Sequence, residues 1–264
     1  MERIDTTLKG SLGLGTKDLV SLAGAGGKTT LMFSLARELC HEGRKVVTTT
    51  TTKILGPAPG ETNFLFVDED EEKVKEFVRR RIDEYRHITL ASRKIEAGKL
   101  KGVSPGLINE LWDSNEVDFL IVEADGAAGR AVKAPREHEP VIPSKTTLVV
   151  AILGVDGVGA ELNETNVFQP EGVSKMTGVP IGARMTEEAM AVLMTHAGGI
   201  FKGAPSSCRV VVLLNKVDLP NGIAKARGVA QKILGRGHPQ VERVILGQLK
   251  NFPPVVEVIL NEPN

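Results

Sequence analysis

The sequence predicts a three-layer α/β/α fold around a mainly parallel sheet, and three observations predict it. Short, nearly continuous apolar runs recur at Val117 to Glu123, Thr146 to Leu153 and Arg209 to Leu214, which is how strands buried on both faces read. Segments with helical spacing alternate with them. The first strand-to-helix junction is a run of glycines, where a parallel α/β sheet commonly places a ligand.

Taken in order, Asp18 to Ala23 is a short apolar run ending in glycines. Thr29 to His41 then sets Leu31, Phe33, Leu35, Ala36, Leu39 and Cys40 at helical intervals and closes at Gly43. The β-branched run Lys45 to Thr50 predicts a second strand and Asn63 to Val67 another. Asp68 to Tyr85 opens acidic and turns basic, with Val74, Phe77, Val78 and Ile82 on one face, as suits a helix aligned with its own dipole. His87 to Ala91 reads as a strand, and Ser104-Pro105 has the cap and first-turn pattern of a helix through Asp113. Beyond Leu153 the glycine-rich stretch Gly154 to Arg184 shows no usable period. Thr186 to His196 predicts a capped helix, Gly222 to Gly235 another, and Val241 to Leu246 and Val255 to Leu260 late strands. The expected organisation is one domain over residues 1–264, with an insertion or subdomain near 154–205.

The totals agree with an ordinary globular protein. Of 264 residues 41% are hydrophobic and 25% charged, which disfavours disorder and fibrous repeats. The formal net charge is zero and aromatics make up 4%, so composition gives no support for general nucleic-acid or membrane-surface binding. Cys40 and Cys208 lack the spacing of a zinc or redox pair and are expected as free thiols. Met1 to Gly10 lacks the apolar run of a signal peptide, and Leu148 to Val155 is far short of the about 20 residues that span a bilayer. Cytoplasm is the expected location.

Gly24-Ala25-Gly26-Gly27-Lys28-Thr29-Thr30 carries the most specific chemistry. Small residues between strand and helix let successive N–H groups face a phosphate chain; Lys28 adds a mobile charge, and Thr29 has the hydroxyl position that P-loop proteins use on magnesium. The strict pattern G-x-x-x-x-G-K-[ST] is not met, because Leu22 stands where its first glycine belongs. The variant G-x-x-G-K-T-T resembles the P-loops of Mur-type peptide ligases and, more loosely, of the signal-recognition and metal-chaperone GTPases. A glycine-rich helix entry without a ligand is the alternative.

Two more elements follow in the order of a P-loop protein. Glu123, Asp125 and Gly126 end a buried strand; a carboxylate there suits magnesium, with Glu123 or Asp125 as the acid, and Gly126 allows approach to a terminal phosphate. Asn215-Lys216-Val217-Asp218 follows an apolar strand and matches the N-K-x-D element that selects guanine, Asp218 accepting from the ring N–H and exocyclic amine. No ring-supporting Ser-Ala-Lys element is evident, although Gly247-Gln248-Leu249 ends the appropriate strand, so GTP is favoured over ATP without being required. Thr50 and Thr51, in the threonine run 48–52 before Lys53, are candidates for a switch or acceptor role or simply strand formers.

With these elements located, the chain resembles the YqeC family, described as accessory proteins of selenium-dependent molybdenum hydroxylases. The resemblance covers nearly the whole chain. It rests on the turn 24–30, the threonines with Lys53, Val122 to Gly126, Asn215 to Asp218, Lys133 to Pro143, and His196 with Gly198-Gly199 and Lys202-Gly203. It implies help in maturing such a hydroxylase or its molybdopterin-type cofactor, with nucleotide hydrolysis. Physically, Arg130, Lys133, Arg136 and His138 follow the acid element closely, so a second anion could bind beside the nucleotide, or the charges could pair locally with Glu137 and Glu139.

The expected protein is a magnesium-dependent nucleoside triphosphatase. Lys28, Glu123 and Asp125 are the candidate catalytic groups, and Thr29 and Glu123 the magnesium ligands. Gly24 to Thr30, Gly126, Asn215, Lys216 and Asp218 are the candidate GTP- or ATP-binding residues. Alternatives are an ATP-dependent ligase or kinase acting on a small acid, and a nucleotide sensor or cofactor chaperone without turnover.

Overall fold

A computed structural model describes residues 6–261; residues 1–5 of the amino-terminal stretch lie outside the described residues. Nine strands form the central sheet: β1 (Asp18–Gly24), β2 (Val46–Thr50), β3 (Phe64–Val67), β4 (His87–Ala91), β5 (Phe119–Glu123), β6 (Leu148–Gly154), β7 (Arg209–Asn215), β8 (Val241–Gly247) and β9 (Val255–Leu260). Their spatial order is β9-β8-β7-β6-β1-β5-β2-β4-β3. All neighbours are parallel except the edge pair β8/β9, which is antiparallel. The helices are α1 (Leu8–Leu12), α2 (Lys28–His41), α3 (Glu71–Tyr85), α4 (Pro105–Asp113), α5 (Pro170–Thr177), α6 (Glu187–Thr195) and α7 (Gly222–Gly235). The predicted three-layer α/β/α architecture is borne out.

Strand alternation makes the layers. In β6, Leu148, Val150 and Ile152 join the core under α1 and α2, whereas Val149, Ala151 and Leu153 join the opposite core under α5, α6 and α7. The face across β4 and β5 is closed by α3 and α4, through Val74, Val78, Ile82, Leu107 and Leu111. Ser104 caps α4, its hydroxyl accepting from Leu107 N–H at 3.0 Å, and Asp70 caps α3 through Glu72 and Lys73. Residues 154–205 share one core with β6 to β8: Val155, Leu162, Val173, Met190 and Leu193 are all buried in it.

Two features differ from the sequence expectation. Helix α5 lies in the stretch without a period, because Gly172 breaks the apolar pattern, and its N-cap Gln169 is in the left-handed region at φ 59°. A small antiparallel sheet, Lys53–Leu55, Lys99–Lys101 and Arg93–Lys94, also goes unread, since its strands are two or three residues long. This flap stands beside the carboxyl edge of the central sheet. Cys208 is buried and Cys40 half-buried, both free.

Candidate functional site

β1 lies at the middle of the sheet and its C-terminal end leads directly into α2, so the glycine turn 24–27 opens on the carboxyl edge. Three contacts explain the glycines. A Cβ on Gly24 would sit 2.2 Å from the Ile152 carbonyl oxygen, on Gly26 2.6 Å from Gly154 N, and on Gly27 2.4 Å from the Asn215 amide. Leu22, the departure from the strict motif, is a fully buried strand residue packed beneath α2.

A cleft of about 1320 Å³ lies at this edge. The structure brings Gly26 to Thr30, Glu123, Gly126, Asn215, Lys216 and Asp218 together along it, from three distant stretches of sequence. Gly24 and Ala25 do not line it. Their N–H groups are engaged, Gly24 with the Asp125 carboxylate at 3.0 and 3.1 Å and Ala25 with the Ile152 carbonyl at 2.8 Å. Lys28, Thr29 and Thr30 begin α2, where an α-helix leaves its N–H groups without an intrahelical acceptor, and they face the cleft with the positive end of the helix dipole.

Lys28 is buried and turned back on its own turn, donating to the Gly24 carbonyl at 2.6 Å. Its ammonium lies 3.3 Å from Asp125 and 3.6 Å from Glu123. Burial works against its charge, but Asp125 and Glu123 outweigh it and raise its pKa. Glu123 responds in the opposite sense: burial raises its pKa although Lys28 and the Thr29 hydroxyl favour the carboxylate. Thr29 Oγ1 donates to Glu123 Oε2 at 2.8 Å. This hydroxyl and carboxylate, side by side at a helix N-terminus, are hard oxygen donors of the kind magnesium takes together with phosphate oxygens and water.

Asp125 is fully buried and does not line the cleft. It links the glycine turn to Lys133, whose ammonium lies 2.9 Å from Asp125 and 2.8 Å from Glu139 and donates to the Gly126 carbonyl at 2.6 Å. Burial works to raise the pKa of Glu139, but Lys133 outweighs it and holds the carboxyl below its ordinary value. The four cations read together after the acid element therefore separate. Lys133 is a buried strut, Arg130 and Arg136 line the cleft, and His138 is exposed outside it. Lys202 clamps the same loop by donating to the Arg136 and Glu137 carbonyls at 2.9 and 2.8 Å.

Asn215 is a second strut. Its amide donates to the Gly26 carbonyl at 2.7 Å and accepts from Leu249 N–H at 3.1 Å, fixing the glycine turn to the segment after β8. Gln248 is held in the following turn by Pro253 and Pro254. Asp218 is exposed at the cleft. Thr50 and Thr51 are committed to packing: Thr50 donates to the Glu123 carbonyl and Thr51 to that of Val141, at 2.7 and 2.8 Å, and neither lines the cleft.

Sequence reasoning missed Asp156. It lines the cleft just past β6, accepts from Lys216 Nζ at 2.6 Å through Oδ2, and leaves Oδ1 buried without a hydrogen-bond partner. An acid and a glycine directly after a buried strand, Asp156-Gly157, was the available signal, the same one that marks Glu123 to Gly126. Among the described residues, no cluster of three or more His, Cys, Asp or Glu side chains is arranged to hold a metal by itself, and no helix is long and apolar enough to cross a membrane.

Fold and cleft together define a parallel α/β protein whose candidate site is an anion-seeking cleft at the carboxyl edge of its sheet, floored by a glycine turn and a helix N-terminus. The chain belongs to the YqeC family: the family model described as YqeC protein matches residues 20–171. A relative from Escherichia coli (strain K12), described as "Uncharacterized protein YqeC", is 31% identical over 244 residues, covering 92% of each chain. The resemblance drawn from the motifs is borne out over nearly the full length.

Proposed function

We propose that this chain is a P-loop nucleoside triphosphatase that assists maturation of a selenium-dependent molybdenum hydroxylase or its cofactor in the cytoplasm. One observation carries the chemistry: Lys28, Thr29 and Glu123 meet at the N-terminus of α2 in the cleft that also holds Asn215, Lys216 and Asp218. The accessory role is supported by membership of the YqeC family.

In this reading the polyphosphate lies on the N–H groups of Gly26 to Thr30, and Lys28 exchanges its carboxylate partners for phosphate oxygens. Thr29 and Glu123 are the side chains that would hold magnesium, which when bound neutralises charge on the transferring phosphate. The base would extend toward the ends of β7 and β8, where Asp218 would select guanine. Asp125 stays out of the chemistry and holds the turn through Gly24 N–H. An acceptor-dependent ligase or kinase is favoured by a separate observation, the cleft cations Arg130, Arg136, Lys53 and Lys99, which have no carboxylate partner among the described residues.

The test is equilibrium binding of fluorescent GTP and ATP analogues with magnesium, together with phosphate release. Wild type is expected to bind GTP more tightly than ATP, Asp218→Asn to lose that preference, and Lys28→Ala to bind at least about tenfold more weakly, a loss of about 1.4 kcal/mol. Tighter ATP binding that Asp218→Asn leaves unchanged sinks the guanine assignment. Equal binding by Lys28→Ala sinks the P-loop itself.

A further inference from the structure

The cleft carries more positive charge than the nucleotide turn uses. In a chain of zero net charge, its walls hold seven lysines and arginines against three carboxylates, so it is selectively cationic. Lys28 and Lys216 have carboxylate partners inside the cleft. Arg130, Arg136, Lys53 and Lys99 have no ion-pair partner among the described residues. Four of the five cations of helix α3 show the contrast: Lys73, Lys75, Arg80 and Arg81 sit against carboxylates.

These four cations come from two stretches, the loop after β5 and the flap. The flap stands beside the end of β2, whereas the loop carrying the arginines crosses the glycine turn to the end of β6, where the Ala131 carbonyl accepts from Gly154 N–H at 2.9 Å; Asn215 to Asp218 and Leu249-Lys250, the latter lysine likewise without an ion pair among the described residues, lie toward β7 and β8. The volume of about 1320 Å³ exceeds the roughly 300–1,000 Å³ usual for one small-molecule site.

The arginines are held in place by the scaffold. Arg130 Nε donates to the Glu164 carbonyl at 2.9 Å and its Nη1 to the Ala128 carbonyl at 3.4 Å, and the side chain lines the cleft. The Arg136 guanidinium lies 4.8 Å from the centre of the Phe168 ring, and Lys202 fixes its backbone. Phe168 is in turn placed by the short parallel pairing of Val167–Phe168 with Val132–Lys133, anchored by buried Lys133. Two pre-placed guanidinium groups sharing a cleft with two flap lysines are the chemistry of phosphate recognition.

We propose that the wall of the cleft built on Arg130, Arg136, Lys53 and Lys99 is a second anion site that takes a phosphorylated small molecule while the nucleotide occupies the glycine turn. It rests on the nucleotide reading only for its position beside the terminal phosphate. The bound pair would then be a nucleotide and the phosphorylated compound on which its energy is spent.

Pyrophosphate is the probe, titrated calorimetrically into protein saturated with magnesium and a non-hydrolysable fluorescent GTP analogue, and separately into Lys28→Ala. The expected result is saturable pyrophosphate binding in both, with the analogue's signal retained. Arg130→Gln/Arg136→Gln should weaken pyrophosphate at least tenfold without changing analogue affinity. Lys99→Glu, on the exposed flap and away from the core, should weaken it in the same direction. Displacement of the analogue by pyrophosphate, or wild-type pyrophosphate affinity in the double variant, overturns the second site. If the analogue never binds, the nucleotide reading fails on its own. The second site is then kept only if the arginine pair still governs pyrophosphate binding to Lys28→Ala.

Discussion

Glu123 and Asp125 are two residues apart and both buried, yet the structure gives them opposite consequences. Asp125 is surrounded by Lys28, Lys133 and the Gly24 N–H, so removing it takes one of two carboxylate partners from each of two buried ammonium groups. Asp125→Ala should cost about 3–5 kcal/mol in urea unfolding. Burial raises the pKa of Glu123 above its unfolded value, although Lys28 and the Thr29 hydroxyl favour the carboxylate. A raised carboxyl pKa gives a contribution that is full below the ordinary 4.5 and lost as pH rises through the folded value. Glu123→Gln should therefore be more stable than wild type at pH 7, with the difference fading below about pH 4.5. The same substitution should weaken magnesium-dependent nucleotide binding by about 10–100-fold if Glu123 holds the ion or its water. A variant that is destabilised at pH 7, or binds normally, contradicts this account of Glu123 as a residue kept for function.

At the scale of elements, β4 carries a titration unrelated to the cleft. His87 is buried against Thr48 of the paired strand, its ring nitrogen 3.0 Å from the hydroxyl, and burial lowers its pKa to about 4. The unfolded ring titrates near 6.5, so the unfolded chain takes up a proton first as the medium is acidified. Stability from this site is full above 6.5 and falls between 6.5 and about 4, by about 3 kcal/mol in all. Comparing urea midpoints of wild type and His87→Gln across that window should show the variant losing less. Parallel curves remove His87 as the cause.

The same scale shows what was legible. Helices α4 and α7 match their expected bounds because Ser104-Pro105 and the terminal glycines mark them chemically. α5 and the flap were not legible. In α5 a left-handed cap and an internal glycine hide the period, and the flap's strands are too short to show alternation.

For the whole molecule, the cleft joins residues from β1, β5, β6, β7 and the flap, so a ligand held there should stabilise the entire fold. Magnesium and GTP analogue at 100 times its Kd should raise the unfolding free energy by about 2.7 kcal/mol, and Lys28→Ala should cut the gain to about 1.4 kcal/mol or less at the same concentration. A thermal-shift series with and without magnesium measures it. An equal shift in both proteins means binding elsewhere.

The sequence by itself determined the parallel α/β class, the glycine turn with Lys28 and Thr29, and the family, because apolar runs, glycine spacing and short motifs are local properties of the chain. Only the tertiary structure decided what each charge is for. Lys133 and Asp125 became buried struts, Arg130 and Arg136 remained unpaired at the cleft, Thr50 and Thr51 turned to backbone carbonyls, and Asp156 joined the site unannounced. Charge partners are chosen across distances in sequence that no local pattern records, and whether a lysine meets water, a carboxylate or a ligand depends on which strand ends the sheet brings side by side.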